Sequence, residues 1–222
     1  MMISFSEKFR SIFKDLEIVE VVMDGLQVQD TNEELELLKK ELALEVKEKY
    51  PTQEDLRNNT NARCYRDFFW KVGIDPTKTR PSAEALTRRL FGGRELPSIN
   101  TLVDAYNVAS VRTQISIAAF DLDKIGKHLE LRFAKKGERF LGIGMSSPIE
   151  LEGVEAVIED KEKKELIAVY PYRDSEASKV SKNSVKVLFL MCGVPGIASE
   201  SLLQARSLTT EYTQRFCGHS KL

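Results

Sequence analysis

The chain has few of the residues from which metal and redox centres are built. Its three cysteines, Cys64, Cys192 and Cys217, lie far apart without a C-x-x-C pair, and its only histidines are His128 and His219. Zinc-ligand spacing is missing, so no metal and no cofactor is expected. Cys192 lies in the apolar run VKVLFLMCGV and Cys64 beside Tyr65 and Phe68, so both read as buried inert thiols, whereas Cys217, near the C-terminus, is placed for exposure. None is assigned a catalytic role. No G-x-S-x-G, P-loop, G-x-G-x-x-G or H-E-x-x-H occurs, and Gly142-Ile143-Gly144 lacks a third glycine and a following helix. Triad, nucleotide and hydride chemistry are therefore disfavoured. A run of 18 apolar residues is also absent, and the opening MMISFSEKFR has no signal-peptide core, which leads us to expect a cytoplasmic protein without a membrane partner.

An excess of charge is lacking as well. Lys and Arg number 33 against 34 Asp and Glu, for a net charge of −1. Nonspecific nucleic-acid affinity comes from neutralising phosphates with cations, so any RNA contact must be local. One segment fits, Lys78 to Arg94, in which Lys78, Arg80, Arg88, Arg89 and Arg94 face the single acid Glu84. A solvated helix face would look the same.

With 222 residues and 42% hydrophobic content, the chain can bury a core of its own and is expected to form one domain over 1–222, with an N-terminal part at 1–78 and a core at 79–222. Ser4 to Lys14 suits a short amphipathic helix and Glu17 to Met23 a strand. Thr31 to Tyr50 is the clearest helix, with Leu35, Leu38, Leu42 and Val46 at helical spacing, Thr31 or Asn32 as N-cap and Pro51 as stop. Asn61 to Val72 reads as a helix whose Tyr65, Phe68, Phe69 and Trp70 enter the core. Pro81 opens a helix that Gly92-Gly93 ends, and Ile99 to Thr113 is the next. From Ile115 onward, short runs such as LELRF, GVEAVI, ELIAVYPY and SVKVLFLMCGV alternate with turn residues, before a last helix near Ser199 to Phe216 that buries Leu202, Leu203, Ala205 and Leu208. The expected class is α+β, helix-rich in the first half and strand-rich in the second.

Three polar features stand out. Asn100, Asp104 and Asn107 fall at i, i+4 and i+7 on one helix, where short amides and carboxylates have poor intrinsic propensity. They are either groups placed for a ligand or a buried network tying the helix to a loop. Tyr172-Arg173-Asp174-Ser175 follows a strand and could present an Arg fork and a carboxylate, or form a surface turn with a local salt bridge. Asp121 and Asp123, in Phe120-Asp121-Leu122-Asp123, sit in a strand-to-turn setting that Asx-turn chemistry alone would explain.

Joined in order, RPSAEALTRRL (80–90), LPSINTLVDAYNVASV (96–111), AAFDLDKI (118–125), LELRFAKKGERFLGIG (129–144) and YRDSEASKVSKNSVKVLFL (172–190) resemble successive blocks of the B3/B4 editing-domain family of the phenylalanyl-tRNA synthetase β subunit. The family helix reads like INxVVDxTNYV and its next block like PxHAFD; here they are INTLVDAYNVA and SIAAFD. The resemblance runs from about Leu16 to Phe216. It implies mixed β-sheets packed against helices around a cleft for the 3′-terminal adenosine of a mischarged tRNA, and the short chain resembles the freestanding, trans-editing members. By the same resemblance the family histidine falls on Ala118, its proline on Ser116 and its threonine on Tyr106. The asparagine is kept as Asn107, and the later-strand acid falls near Leu190. A substrate side chain other than tyrosine, polar or charged, follows from these departures.

The reading that results is a deacylase that hydrolyses the aminoacyl ester at the acceptor end of tRNA. Asn107, Asp121 and Asp174 are the catalytic candidates, and Asn100, Asp104, Tyr106, Arg173 and Ser175 the substrate-binding ones. Arg80, Arg88 and Arg89 are candidates for phosphate contacts. The alternative is a noncatalytic module that binds tRNA or an amino acid, or docks on a partner synthetase.

Overall fold

A computed structural model describes residues 3–218. Along the chain run β1 (Ile3–Phe5), α1 (Glu7–Ile12), β2 (Ile18–Met23), α2 (Glu33–Lys49), α3 (Gln53–Arg57), α4 (Thr60–Lys71), α5 (Ser82–Phe91) and α6 (Thr101–Thr113). Then come β3 (Ile117–Asp121), β4 (Leu129–Phe133), β5 (Arg139–Phe140), β6 (Ile149–Glu150), β7 (Ala156–Asp160), β8 (Glu165–Val169), β9 (Arg173–Asp174), β10 (Val187–Cys192) and α7 (Ser199–Cys217). The class is mixed α+β. No helix of the described residues is long and apolar enough to cross a membrane.

Two sheets organise the molecule. One has the order β1-β4-β7-β8-β9 and the other β2-β10-β3, with a small β5-β6 hairpin beside them. The centre is β10, whose six residues VLFLMC are all buried. Its side chains alternate between two cores: Val187, Phe189 and Met191 pack with the helices α2, α6 and α7, while Leu188, Leu190 and Cys192 pack towards the five-stranded sheet and α4. A strand covered on both faces has no polar side to show, which explains why its sequence is a continuous apolar run. The Tyr65 hydroxyl fastens α4 to this layer by donating to the Cys192 carbonyl at 2.6 Å and accepting from the Ser116 N–H at 3.0 Å.

The long helix α2 is set by its apolar spacing and its cap. Leu35, Leu42 and Val46 are buried, and the Asn32 side chain accepts the Leu35 N–H at 3.0 Å, with Glu33, Glu34 and Glu36 in the first turn and Lys47 and Lys49 in the last. Asn32→Ala is expected to lower stability by about 1 kcal/mol and Asn32→Ser to restore most of it, as read from denaturant midpoints.

Several expectations fail locally. Ser4 and Phe5 belong to β1, which pairs in parallel with β4, and the helix begins only after Ser6 caps it. Trp70 is 58% exposed: Tyr65, Phe68, Phe69 and Val72 share one face of α4, and Trp70, two positions from Phe68, points away from it. Leu203 is 52% exposed for the same reason, and α7 instead buries Leu202, Ala205, Thr209, Tyr212 and Phe216. Cys217 is buried, with its Sγ 3.2 Å from the Thr101 hydroxyl, while Cys64 is only half-buried.

Candidate functional site

Helix α6 carries the first wall of the site, and its start explains two of the three stripe residues. Asn100 is the N-cap and accepts the Val103 N–H at 2.9 Å. Asp104, 2% exposed, accepts the Ile99 N–H at 3.0 Å and the Lys39 ammonium at 3.0 Å. Both are buried structural groups that tie α6 to the preceding loop and to α2. Asn107 lies on the same face about 10 Å along the axis from Asn100, at 1.5 Å per residue, and there the helix opens onto a cleft. Tyr106 and Asn107 are half-buried at its edge, and neither side chain has a hydrogen-bond partner among the described residues.

The cleft, of about 160 Å³, lies where the two sheets meet. Ile117 and Ala118 of β3, Cys192 of β10 and Ile158, Ala168 and Val169 of β7 and β8 form its apolar walls. Tyr170 to Asp174 and Ser82, at the start of α5, close the rest. Ala118 is cross-strand from Leu190, so the two positions where the resemblance places a histidine and an acid are neighbours here, and both are apolar.

Asp174 is the unusual group. Its carboxylate accepts the Ala119 N–H at 3.2 Å and has no cation paired with it among the described residues. Burial therefore pushes its pKa up to about 7, against the downward pull of that one N–H. The adjacent Arg173 does not neutralise it. Its guanidinium donates to the Ile143 carbonyl at 3.0 Å and lies over the Tyr172 ring at 5.0 Å, with its aliphatic stem against Gly142, where an added Cβ would come within 2.4 Å of the Arg173 Cδ. Tyr106, edge-on to Phe189 with centroids 5.9 Å apart, has its phenol pushed up by burial and then by the charge of Asp174. One cleft thus holds a carboxyl that changes charge near neutrality, a free amide and a phenolic hydroxyl. Such a set can take a proton from water and donate hydrogen bonds to a carbonyl oxygen.

The structure brings Tyr106, Asn107, Arg173 and Asp174 together, and leaves the other candidates elsewhere. Asp121 is the buried last residue of β3: its carboxylate accepts the Ser184 hydroxyl at 2.6 Å and the Asp123 N–H at 3.1 Å and pairs with Lys124 at 3.5 Å, an Asx turn rather than a ligand group. Ser175 faces away from the cleft and accepts the Ala177 N–H at 3.1 Å. In the basic segment, Arg88 is held by the buried Glu84 at 3.0 Å, which Arg66 shares at 3.2 Å, so its guanidinium is tied to its own helix. Arg89 donates to the Glu95 carbonyl, and Arg80 is exposed beside Ser82. The sequence reading missed Ser82, Tyr170 and Pro171 as cleft residues; the Tyr-Pro-Tyr run ending β8 was the available signal.

A family model described as "B3/4 domain" matches residues 64–218, beginning inside α4. No curated protein matches the chain. Among solved structures, the N-terminal fragment of the phenylalanyl-tRNA synthetase beta-subunit from Pyrococcus horikoshii is similar with a TM-score of 0.50 at 14% identity, over 97% of this chain and 48% of that one. The chain thus spans about half the length of that fragment, and at this identity the likeness is one of fold.

Proposed function

The chain belongs to the B3/4 domain family, and from that membership we propose that it hydrolyses the ester of a mischarged aminoacyl-tRNA in trans. The observation that carries the reading is Asp174, a carboxyl without a counter-ion among the described residues whose pKa is about 7, in the same cleft as Asn107 and Tyr106, which have no hydrogen-bond partner among them. An aminoacyl ester is already activated, so its hydrolysis needs a positioned water and a stabilised oxyanion more than a strong nucleophile. Asp174 takes a proton from water as the water oxygen bonds to the carbonyl carbon. Asn107 and Tyr106 donate hydrogen bonds to the oxygen that becomes negative. Collapse breaks the bond to the ribose oxygen, which receives the proton from Asp174. Arg173, at the mouth, contacts the ligand's polar end.

The test is a panel of mischarged tRNAs, with release of free amino acid measured without added metal. Hydrolysis of one aminoacyl class is expected, and Asn107→Ala should slow it by about 10²–10³ while cooperative unfolding is retained, the usual cost of losing one well-placed oxyanion donor. Failure to hydrolyse any member would reject the reading. A second reading has its own observation: Ala118 stands where the resemblance places a histidine, and the walls around it are apolar. A module that binds charged tRNA or docks on a synthetase without turnover would fit that, and the same panel separates the two by showing binding with no release.

A further inference from the structure

We infer that the groove between α2 and the end of α5 holds the phosphate backbone of the RNA whose terminus enters the cleft; this rests on the reading above and adds a second contact surface to it. The groove, of about 140 Å³, has Ala43, Leu90 and Leu96 as its apolar floor. Lys40 and Lys47 stand on its α2 side and Arg94 on the other, all exposed and without an ion-pair partner among the described residues. Lys39 also lines it, but its ammonium is already saturated by Glu36 at 2.8 Å, Ser98 at 2.8 Å and Asp104 at 3.0 Å. Glu36 is engaged by Lys39, which leaves Glu95 as the one lining acid not bound to a cation.

Three unpaired cations against one unpaired acid around one groove stand out in a chain whose net charge is −1. Unlike Arg88, whose guanidinium is tied to Glu84, they are free to reach a polyanion. Helix α5 fixes the spacing between the two sites. Ser82 at its start lines the cleft and Leu90 near its end lines the groove, eight residues apart. At 1.5 Å per residue this is about 12 Å, or roughly three nucleotides of a stacked strand at about 3.4 Å each. A strand with its 3′ end in the cleft therefore carries its next phosphates to the groove. Helix α2 precedes the residues matched by the family model, so one wall of this surface is contributed from outside that match.

The test uses uncharged full-length tRNA and, separately, the trinucleotide CCA, each bound to the intact protein and to the double variant Lys47→Glu/Arg94→Glu. Both side chains are exposed and unpaired, so folding should be unaffected. For tRNA at about 50 mM salt the variant should bind tenfold or more weakly, and the slope of log K against log salt should fall in magnitude by about 2, one for each cation removed. The trinucleotide should bind both proteins alike. Undetectable tRNA binding by the unmodified protein, an unchanged affinity and slope in the variant, or an equal loss for the trinucleotide would each overturn the inference. A protein that binds tRNA in this way but releases no amino acid from any charged species defeats only the hydrolytic reading.

Discussion

Asp174→Asn is expected to lower the deacylation rate by about 10²–10⁴, the range over which a positioned general base acts. It should also remove the pH dependence that identifies the residue. With a pKa of about 7 the carboxyl is protonated and idle as a base in mild acid and charged above neutrality, so the rate of the unmodified protein should rise with pH and level off above about 7. The α-amino group of the substrate titrates nearby, at about 7.7–8.0 when free, and could contribute a limb of its own. That limb would persist in Asp174→Asn, whereas the limb belonging to Asp174 would vanish. Asparagine can still accept the Ala119 N–H, so the fold is retained. Stability gives an independent sign. A carboxyl whose folded pKa lies above its ordinary 3.8 contributes stability that is present below about 3.8 and lost as pH rises through about 7. Asp174→Asn should therefore flatten the decline in stability between these values while removing activity. A rate that stays within threefold of the unmodified protein and keeps its pH profile would exclude Asp174 as the base.

What was legible in the sequence follows from which physical effect each residue reports. Periodicity located α2, α4, α6 and α7 to within a few residues, because a buried stripe at 3.6 spacing is a local property. The double-sided burial of β10 was visible as an unbroken apolar run. Trp70 and Leu203 were misread because hydrophobic character was allowed to outrank helical phase. For the site, Asp121 and Asp174 looked equivalent, since both are single aspartates at strand ends. Only the fold separates them: Ser184, sixty-three residues away, satisfies the first, and nothing cationic among the described residues satisfies the second. The Glu84–Arg88 pair is an i,i+4 contact that spacing does show; what it does not show is that Glu84 is buried and shared with Arg66 from α4. Counter-ions supplied from a distance are what sequence spacing does not encode. The cationic groove was missed for the same reason, since its two walls come from Lys40 and Lys47 on one side and Arg94 on the other.

Asp104→Leu is expected to destabilise the protein by about 1–3 kcal/mol, measured by urea denaturation, because it removes one of the two carboxylates on the buried ammonium of Lys39, which keeps Glu36 and Ser98. Lys39 is 4% exposed and Asp104 2%, so the carboxylate left to the ammonium is that of Glu36 at 2.8 Å. The Ile99 N–H loses its acceptor in the same step. Such a cost does not mean that the pair itself stabilises the fold. Burial, with a smaller push from the Glu36 charge, raises the Asp104 carboxyl above its ordinary range against the Ile99 N–H and Lys39, which both pull it down, so the charged form is not favoured by its site. Removing both charges should then cost much less than the two single changes together. Lys39→Met/Asp104→Leu is expected to recover about 0.5–3 kcal/mol relative to additivity, the coupling typical of residues in one ion-pair network. Since Asp104 sits at the start of α6, a double variant that folds as well as the unmodified protein also reports on the site: its deacylation rate should be close to normal, because the pair positions the helix and touches no substrate. If Asp104→Leu instead changes stability by less than about 0.5 kcal/mol, as surface substitutions do, the buried network is not what holds α6 against α2.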